Sequence, residues 1–393
     1  MEQRTRRERR FSEVESNLPD IKMTQADDHR PSLSVRLLSY LGPYNPLPQQ
    51  ISPNDEVWLF DNTAHRSADD KWQAEFVAAV FDKKTGLEVT KVVADVAEKL
   101  GLAKGDAAEA VIRERLKPFM QTVLPARVVH LDFKRELQLG PGGRNGISSD
   151  MKAIPGFRNG EVVRSAAKVP KGTSGILKMN TMFAEPEGWG LISDIDDTIK
   201  ITMTSDPIGI LRSTFVSEPT PVAGMPELYA AIRTAISPSA PFFYLSASPY
   251  NLYMFLNNFR SKHYPQGTII LRDANWLNLR GLLSNLTLGT QAYKVDRMEK
   301  INSWLPKRKM ICIGDSTQSD PEAYGEIYRK YEGWVKLILI RMVTDIAAVG
   351  IQEKNEPKRF EAAFKDIPTG AWHVFETPDE CYQIIKDVVA KYP

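Results

Sequence analysis

Five apolar runs after residue 186 constrain this chain more than anything else in it: GWGLIS, APFFYLS, GTIILR, KMICIG and VKLILI. Amphipathic segments alternate with them, at Pro226 to Ile236, Tyr250 to Phe259, Val295 to Leu305 and Asp320 to Lys330. The runs are apolar on both faces, as strands must be in a parallel sheet covered by helices on both sides. This alternation predicts a doubly wound α/β domain over 186–393. Ligands of such sheets bind beyond the carboxyl ends of the strands, so the polar residue that ends each run is the one to read.

The preceding region follows a different pattern. EVWLFDNTA, AEFVAAVFD and ARVVHLDFKREL read as strands, the last with Val129, Leu131 and Phe133 on one face. Val89, Val92, Val93, Val96 and Leu100, then Val111, Ile112, Leu116 and Phe119 after Asp106, recur at helical spacing. LGPGGRNGISS is too rich in glycine for an element, and it lacks the G-K-[ST] of a Walker A loop. Residues 55–185 are therefore expected to form a β-rich accessory domain with a helical insertion, in the manner of a sandwich. Residues 1–54 read as a disordered lead-in, basic at first (five arginines in MEQRTRRERR) and Pro-rich at PYNPLPQQISPND. The arginines suit a solvated tail or an anchor for anionic lipid.

Composition removes several classes. A net charge of +2 argues against a strongly electrostatic nucleic-acid binder. Two cysteines in unlike contexts cannot build a disulfide framework or a Cys-based zinc site, and five scattered histidines show no metal-ligand spacing. There is no apolar run of transmembrane length and no secretory h-region, so a cytoplasmic, peripherally attached protein is expected.

The strand ends carry the chemistry. The first run ends in Asp194, Ile195, Asp196, Asp197 and Thr198; the second in Ser246; the fourth in Asp315, with Asp320 five residues on. Lys294 opens the helical segment before the fourth run. On one sheet edge these gather carboxylates, a hydroxyl and an ammonium. Carboxylates without histidine or thiol suit a hard cation such as Mg²⁺. One carboxylate can attack phosphorus and form an aspartyl-phosphate, while another protonates the leaving alkoxide and then activates water. In extended chain, residues two apart point the same way, so Asp194 and Asp196 can face one phosphoryl group. Asp197 points elsewhere and is expected to accept hydrogen bonds within the turn. Ser246 and Lys294 can hold phosphoryl oxygens. Each signal alone is weak: D-x-D-x-T is most often a turn, and a lone lysine on a helix is most often solvated. Their joint order at successive strand ends carries the reading.

Asp194-x-Asp196-x-Thr198, Ser246, Lys294 and Gly314-Asp315-x4-Asp320 resemble the four motifs of the haloacid dehalogenase superfamily. More narrowly, GWGLISDIDDTIK, FYLSASPYNLY and KRKMICIGDSTQSDPEAYGEIY resemble the catalytic region of fungal actin-patch phosphatidate phosphatases, over about 186–345. The resemblance implies Asp194 as nucleophile and Mg²⁺ ligand, and Asp196 as general acid and base that gives its backbone carbonyl to the metal. It implies Thr198 as support for the nucleophile loop, Ser246 and Lys294 as phosphate ligands, and Asp315 with Asp320 as metal ligand and support. Its implied substrate is phosphatidate at a membrane surface, its products diacylglycerol and phosphate, and its setting the cortical actin patch. Fungal members recruit SH3-domain proteins through a Pro-rich tail; this sequence stops at Pro393, so SH3 partners rest on the resemblance alone.

Spacing speaks to the substrate. Thr198 and Ser246 are separated by 47 residues, as are Ser246 and Lys294, which leaves no room for a large cap. An open site suited to a lipid head group or a phosphoprotein is expected, with Ile208, Ile210, Leu211 and Phe215 either touching a bilayer or packing the domain. The readings are then a phosphatidate phosphatase, a phosphatase of the same superfamily for phosphoprotein or another lipid phosphate, and a non-catalytic adaptor.

Overall fold

The computed structural model describes residues 38–85, 89–99, 101, 106–273, 289–344 and 351–393, together with Phe11, Glu13, Val14, Ser16 and Leu283. The arginine-rich start lies outside the described residues. No helix among them is long and apolar enough to cross a membrane.

The apolar runs form strands β1 (Trp189–Asp194), β2 (Phe242–Pro249), β3 (Thr268–Arg272), β4 (Lys309–Asp315) and β5 (Val335–Arg341). A sixth, β6 (Trp372–Phe375), escapes a sequence reading because it is four residues long and only its last residue is buried. All neighbours pair in parallel, in the order β3-β2-β1-β4-β5-β6. The chain builds outward from β1 to β3, then returns to lay β4 on the other side of β1. The crevice at the carboxyl ends of β1 and β4 is thus the switch point where doubly wound sheets place their ligands.

Helices α1 (Pro207–Phe215), α2 (Met225–Ile236), α3 (Tyr253–His263), α4 (Thr290–Trp304), α5 (Asp320–Lys330), α6 (Pro357–Ala363) and α7 (Cys381–Lys391) connect and cover the strands. Alternate residues of the strands serve opposite faces. Leu191, Phe242 and Ile311 pack with Ile210, Leu228 and Ile385 of α1, α2 and α7. Ile192, Phe243 and Cys312 pack with Met298, Ile327 and Phe360 of α4, α5 and α6.

Between Gln49 and Phe183 the described residues form eleven strands. The longest, Trp72–Thr85, pairs antiparallel with Asp55–Leu59, Asn62–Arg66, Gln121–Val123 and Ile147–Ala153. Their inner face buries Phe76, Leu131, Phe133 and Leu139. Some details depart from the sequence reading. EVWLFDNTA is two strands, broken at Phe60 and Asp61. The glycine-rich stretch is a loop only as far as Gly146, and the lead-in supplies a buried Phe11 and a short strand, Gln49–Gln50. Gly140 has to be glycine: φ is +89°, and a Cβ there would lie 2.7 Å from the Arg127 carbonyl oxygen.

The two sheets are joined by one continuous core. Helices Val89–Lys99 and Asp106–Met120 fill the space between them, and Phe119 meets Phe215 of α1 edge-on at 5.5 Å. Phe60 packs on Tyr253 at 4.2 Å, and the Tyr253 hydroxyl accepts the Asp61 N–H at 2.8 Å. Arg260 of α3 pairs with Asp61 at 3.4 Å, and the Thr63 and Thr268 hydroxyls meet at 2.7 Å beside β3. The same core settles the four apolar residues after the first motif. Ile210, Leu211 and Phe215 are fully buried and Ile208 packs against them, so they hold the domain together and face no bilayer.

Phe119→Ala is expected to remove about 3–5 kcal/mol of stability, the usual cost of deleting a buried phenyl ring. Urea unfolding should remain one transition at lower denaturant. Two separated transitions in the parent protein would show that the sheets do not share a core.

Candidate active site

The turn after β1 is fixed by one carboxylate. Asp197 adopts φ +60°, a left-handed conformation that a side chain tolerates only at a cost. Its Oδ1 accepts the N–H groups of Thr202 and Met203, each at 2.8 Å, and its Oδ2 accepts the N–H and hydroxyl of Thr204, each at 2.6 Å. Arg341 at the end of β5 donates to the Asp197 carbonyl at 2.8 Å. Bonds to an ionised acceptor are the strong ones, and four on one side chain more than offset the strain. The role expected for Asp197, an acceptor within the turn, is the one it has.

Freed from that task, Asp194 and Asp196 point into the crevice. Asp194 Oδ1 lies 2.7 Å from Lys294 Nζ, and Thr198 reaches Oδ2 only at 3.4 Å. Lys294, carried in on α4, also donates to Asp320 Oδ1. Asp320 opens α5 and accepts the Asp315 N–H at 3.1 Å. Asp315 Oδ1 takes the N–H and hydroxyl of Thr317. Asp315 Oδ2 is buried without a hydrogen-bond partner among the described residues. Asp196 stands apart from this group: Oδ2 accepts the Ser246 hydroxyl at 2.6 Å and Oδ1 the Thr202 hydroxyl at 2.8 Å.

Lys200 and Thr202 were not singled out from the sequence. Lys200 Nζ donates to Thr202 Oγ1 at 2.7 Å and lies 3.9 Å from Asp196 Oδ1. The only sequence signal was the i, i+4 placement of a lysine after Asp196, which is common in solvated helices. Its meaning depends on the chain turning back over the strand end. Asp194 is 1% exposed beside Lys294, and Asp196 is 3% exposed where Thr202, in the chain returning after β1, bonds its carboxylate.

Burial sets the electrostatics. It pushes the Asp194 carboxyl well above the ordinary range; Lys294 opposes this, and Asp320, Asp315 and Asp196 add to it. Burial, reinforced by Asp320, carries Asp315 up to about 8. Lys294 loses by burial but gains more from Asp194, Asp320 and Asp315, and ends above the usual lysine range. Lys200 is held below it by burial, against the pull of Asp196 and Asp197.

Asp194, Asp315 and Asp320 each offer an oxygen, and the three lie within 4.8 Å of one another. An all-carboxylate donor set with an unpartnered buried oxygen fits a hard divalent cation. The Asp196 carboxylate is not one of this group.

Residues 189–342 match the family model described as phosphatidate phosphatase APP1, catalytic domain. A stretch of 162 residues, 40% of the chain, is 30% identical to Phosphatidate phosphatase APP1 of Saccharomyces cerevisiae, and it spans 27% of that relative. The family model covers β1 to β5 and every crevice residue described above. Both comparisons support the resemblance to fungal actin-patch phosphatidate phosphatases.

Asp315 gives a measurable signature. Its carboxyl titrates near 8 when folded, against an ordinary 3.8, so between these values the folded chain holds a proton that the unfolded chain has lost. Stability is therefore fullest below the lower value and declines as pH rises through the upper one. In chelator, Tm is expected to fall across this window. Mg²⁺ should restore it most at the alkaline end, and Asp315→Asn should flatten the fall. A Tm indifferent to both pH and Mg²⁺ would count against the cation site.

Proposed function

We propose that the chain is a Mg²⁺-dependent phosphatidate phosphatase, releasing diacylglycerol and phosphate through an aspartyl-phosphate. The observation that carries this reading is the meeting of Asp194, Asp196, Lys294 and the carboxylate trio at one switch point, within the stretch that matches the catalytic-domain family. On the same reading, 186–393 is a haloacid-dehalogenase-like catalytic domain without a large cap, 55–185 an accessory domain and 1–54 a lead-in. The protein acts in the cytoplasm, peripherally on a membrane or at the cortical actin patch, and SH3-domain proteins are candidate partners.

Asp194 would attack phosphorus, a role supported by its carboxylate standing at the strand end beside Lys294. As the new O–P bond forms, the bond to the leaving alkoxide breaks, and Asp196 gives that alkoxide a proton. In the second step Asp196 takes a proton from water, the water oxygen attacks phosphorus, and Asp194 is regenerated as phosphate leaves. Lys294 and Ser246 hold the phosphoryl oxygens. Lys294 bonds Asp194 and Ser246 bonds Asp196, so each proposed phosphate ligand stands beside the carboxylate whose chemistry it would serve. Thr202 keeps Asp196 turned toward the crevice through its other oxygen. Asp194, Asp315 and Asp320 would hold Mg²⁺, with the Asp196 carbonyl as the further ligand that the resemblance implies. The cation supplies positive charge to phosphoryl oxygens as negative charge collects there.

Phosphate release from phosphatidate in mixed micelles tests this directly. Asp194→Asn should lower Mg²⁺-dependent release by about 10³-fold or more, as expected when a nucleophile is lost. Thr202→Val, which leaves Asp196 unsupported, should lower kcat by about 10²-fold with a smaller change in KM. Release from an aryl phosphate or a phosphopeptide without release from phosphatidate would keep the chemistry and overturn the lipid.

A further inference from the structure

Arg359 lies on α6, beyond residue 342 where the match to the catalytic-domain family ends, yet it is bonded directly to the loop that carries Asp315. We propose that Arg359 is a positioning residue for the cation site: it fixes the loop between Asp315 and Asp320, and with it the oxygens these two carboxylates offer to Mg²⁺. The inference rests on the reading that a divalent cation is held there. It extends the working site into a part of the chain that the family match does not reach.

A guanidinium has five N–H donors in a planar fork, and here each has a partner. Nε donates to Glu322 Oε1 at 2.7 Å and Nη2 to Glu322 Oε2 at 2.9 Å, a two-point grip on the first turn of α5. Nη2 also donates to the Gln318 carbonyl. Nη1 donates to the Ser316 carbonyl and, at 2.8 Å, to that of Lys354.

The effect reaches Asp315 through one peptide group. Across a trans peptide the C=O of one residue and the N–H of the next point in opposite directions. The peptide joining Ser316 to Thr317 has its carbonyl on Arg359 and its N–H on Asp315 Oδ1, the latter at 2.6 Å. Turning that plane would break both bonds at once. Arg359 therefore sets the donor that holds Oδ1, and Oδ2 is the oxygen left without a partner among the described residues.

The same fork reaches Asp320. Glu322 follows it by two residues on α5, so the loop and the start of that helix are tied to one rigid group. Other bonds secure the loop elsewhere. The Ser316 N–H donates to the Arg341 carbonyl of β5 at 3.0 Å, and the Thr317 hydroxyl meets that of Thr204 at 2.7 Å. These tie it to β5 and to the turn after β1; Arg359 ties it to α5 and α6. The two-point pairing with Glu322 balances the charge of the guanidinium, so what Arg359 supplies is geometry rather than field. Mg²⁺ is sensitive to geometry, since it takes oxygens only close to about 2.1 Å in a near-octahedral arrangement.

The test is a thermal titration of the full chain with Mg²⁺ alone. A ligand raises Tm once its concentration exceeds its Kd, so the curve of Tm against log Mg²⁺ concentration reports affinity. Arg359→Met should move that curve about tenfold or more to higher Mg²⁺, the usual loss when a group that orients a metal ligand is removed. Arg359→Lys keeps the charge but cannot bond two carbonyls and a carboxylate together, so it should show most of the same shift. It carries the test if Arg359→Met does not fold. Phe119→Ala, destabilised in the core far from this loop, should lower Tm and leave the position of the curve unchanged. An unshifted curve in the Arg359 variants, even with a lower Tm, would reduce Arg359 to a structural clasp and overturn the proposal. Full recovery in Arg359→Lys would overturn the geometric account. A parent protein whose Tm does not respond to Mg²⁺ would overturn the cation reading itself, and this inference with it.

Discussion

One buried lysine makes the crevice tenable. Asp194, Asp315 and Asp320 are packed within 4.8 Å at a strand edge where water is excluded, and isolated carboxylates there would have to protonate. The Lys294 ammonium bonds two of them, and their combined field holds its proton firmly. A buried pair of this kind seldom adds net stability, since desolvation consumes much of the Coulomb gain. Its value lies in position: α4 must bring the lysine to the seam between β1 and β4, and the sheet order creates that seam. Moving the helix by one turn would leave charge buried without compensation.

Around that centre the backbone is held by polar side chains rather than by packing. Asp197 gathers the returning loop, Arg341 grips the Asp197 carbonyl from β5, and Thr202 supports Asp196. Asp194 and Asp196 therefore belong to one rigid frame, with Lys294 bonded to the first and Ser246 to the second.

Most of this frame could be read in advance where geometry follows from local spacing. The doubly apolar runs became β1 to β5, and the parity of an extended chain separated Asp194 and Asp196 from Asp197. Residues whose partners come together only on folding stayed hidden. Thr202 meets Asp196 because the chain doubles back after β1. β6 was lost to brevity, with too few residues to show a pattern.

The continuous core between the two sheets has a consequence for how the chain is made. Asp61 leaves the ribosome 199 residues before its partner Arg260, which at 5–20 residues per second is a wait of roughly 10–40 s. Through that interval the faces of Trp58, Phe81 and Phe119 have no α/β partner to cover them. The nascent N-terminal half is therefore a natural client for chaperones. Any change that slows translation between these points lengthens the time in which apolar strands stand open to a neighbouring chain.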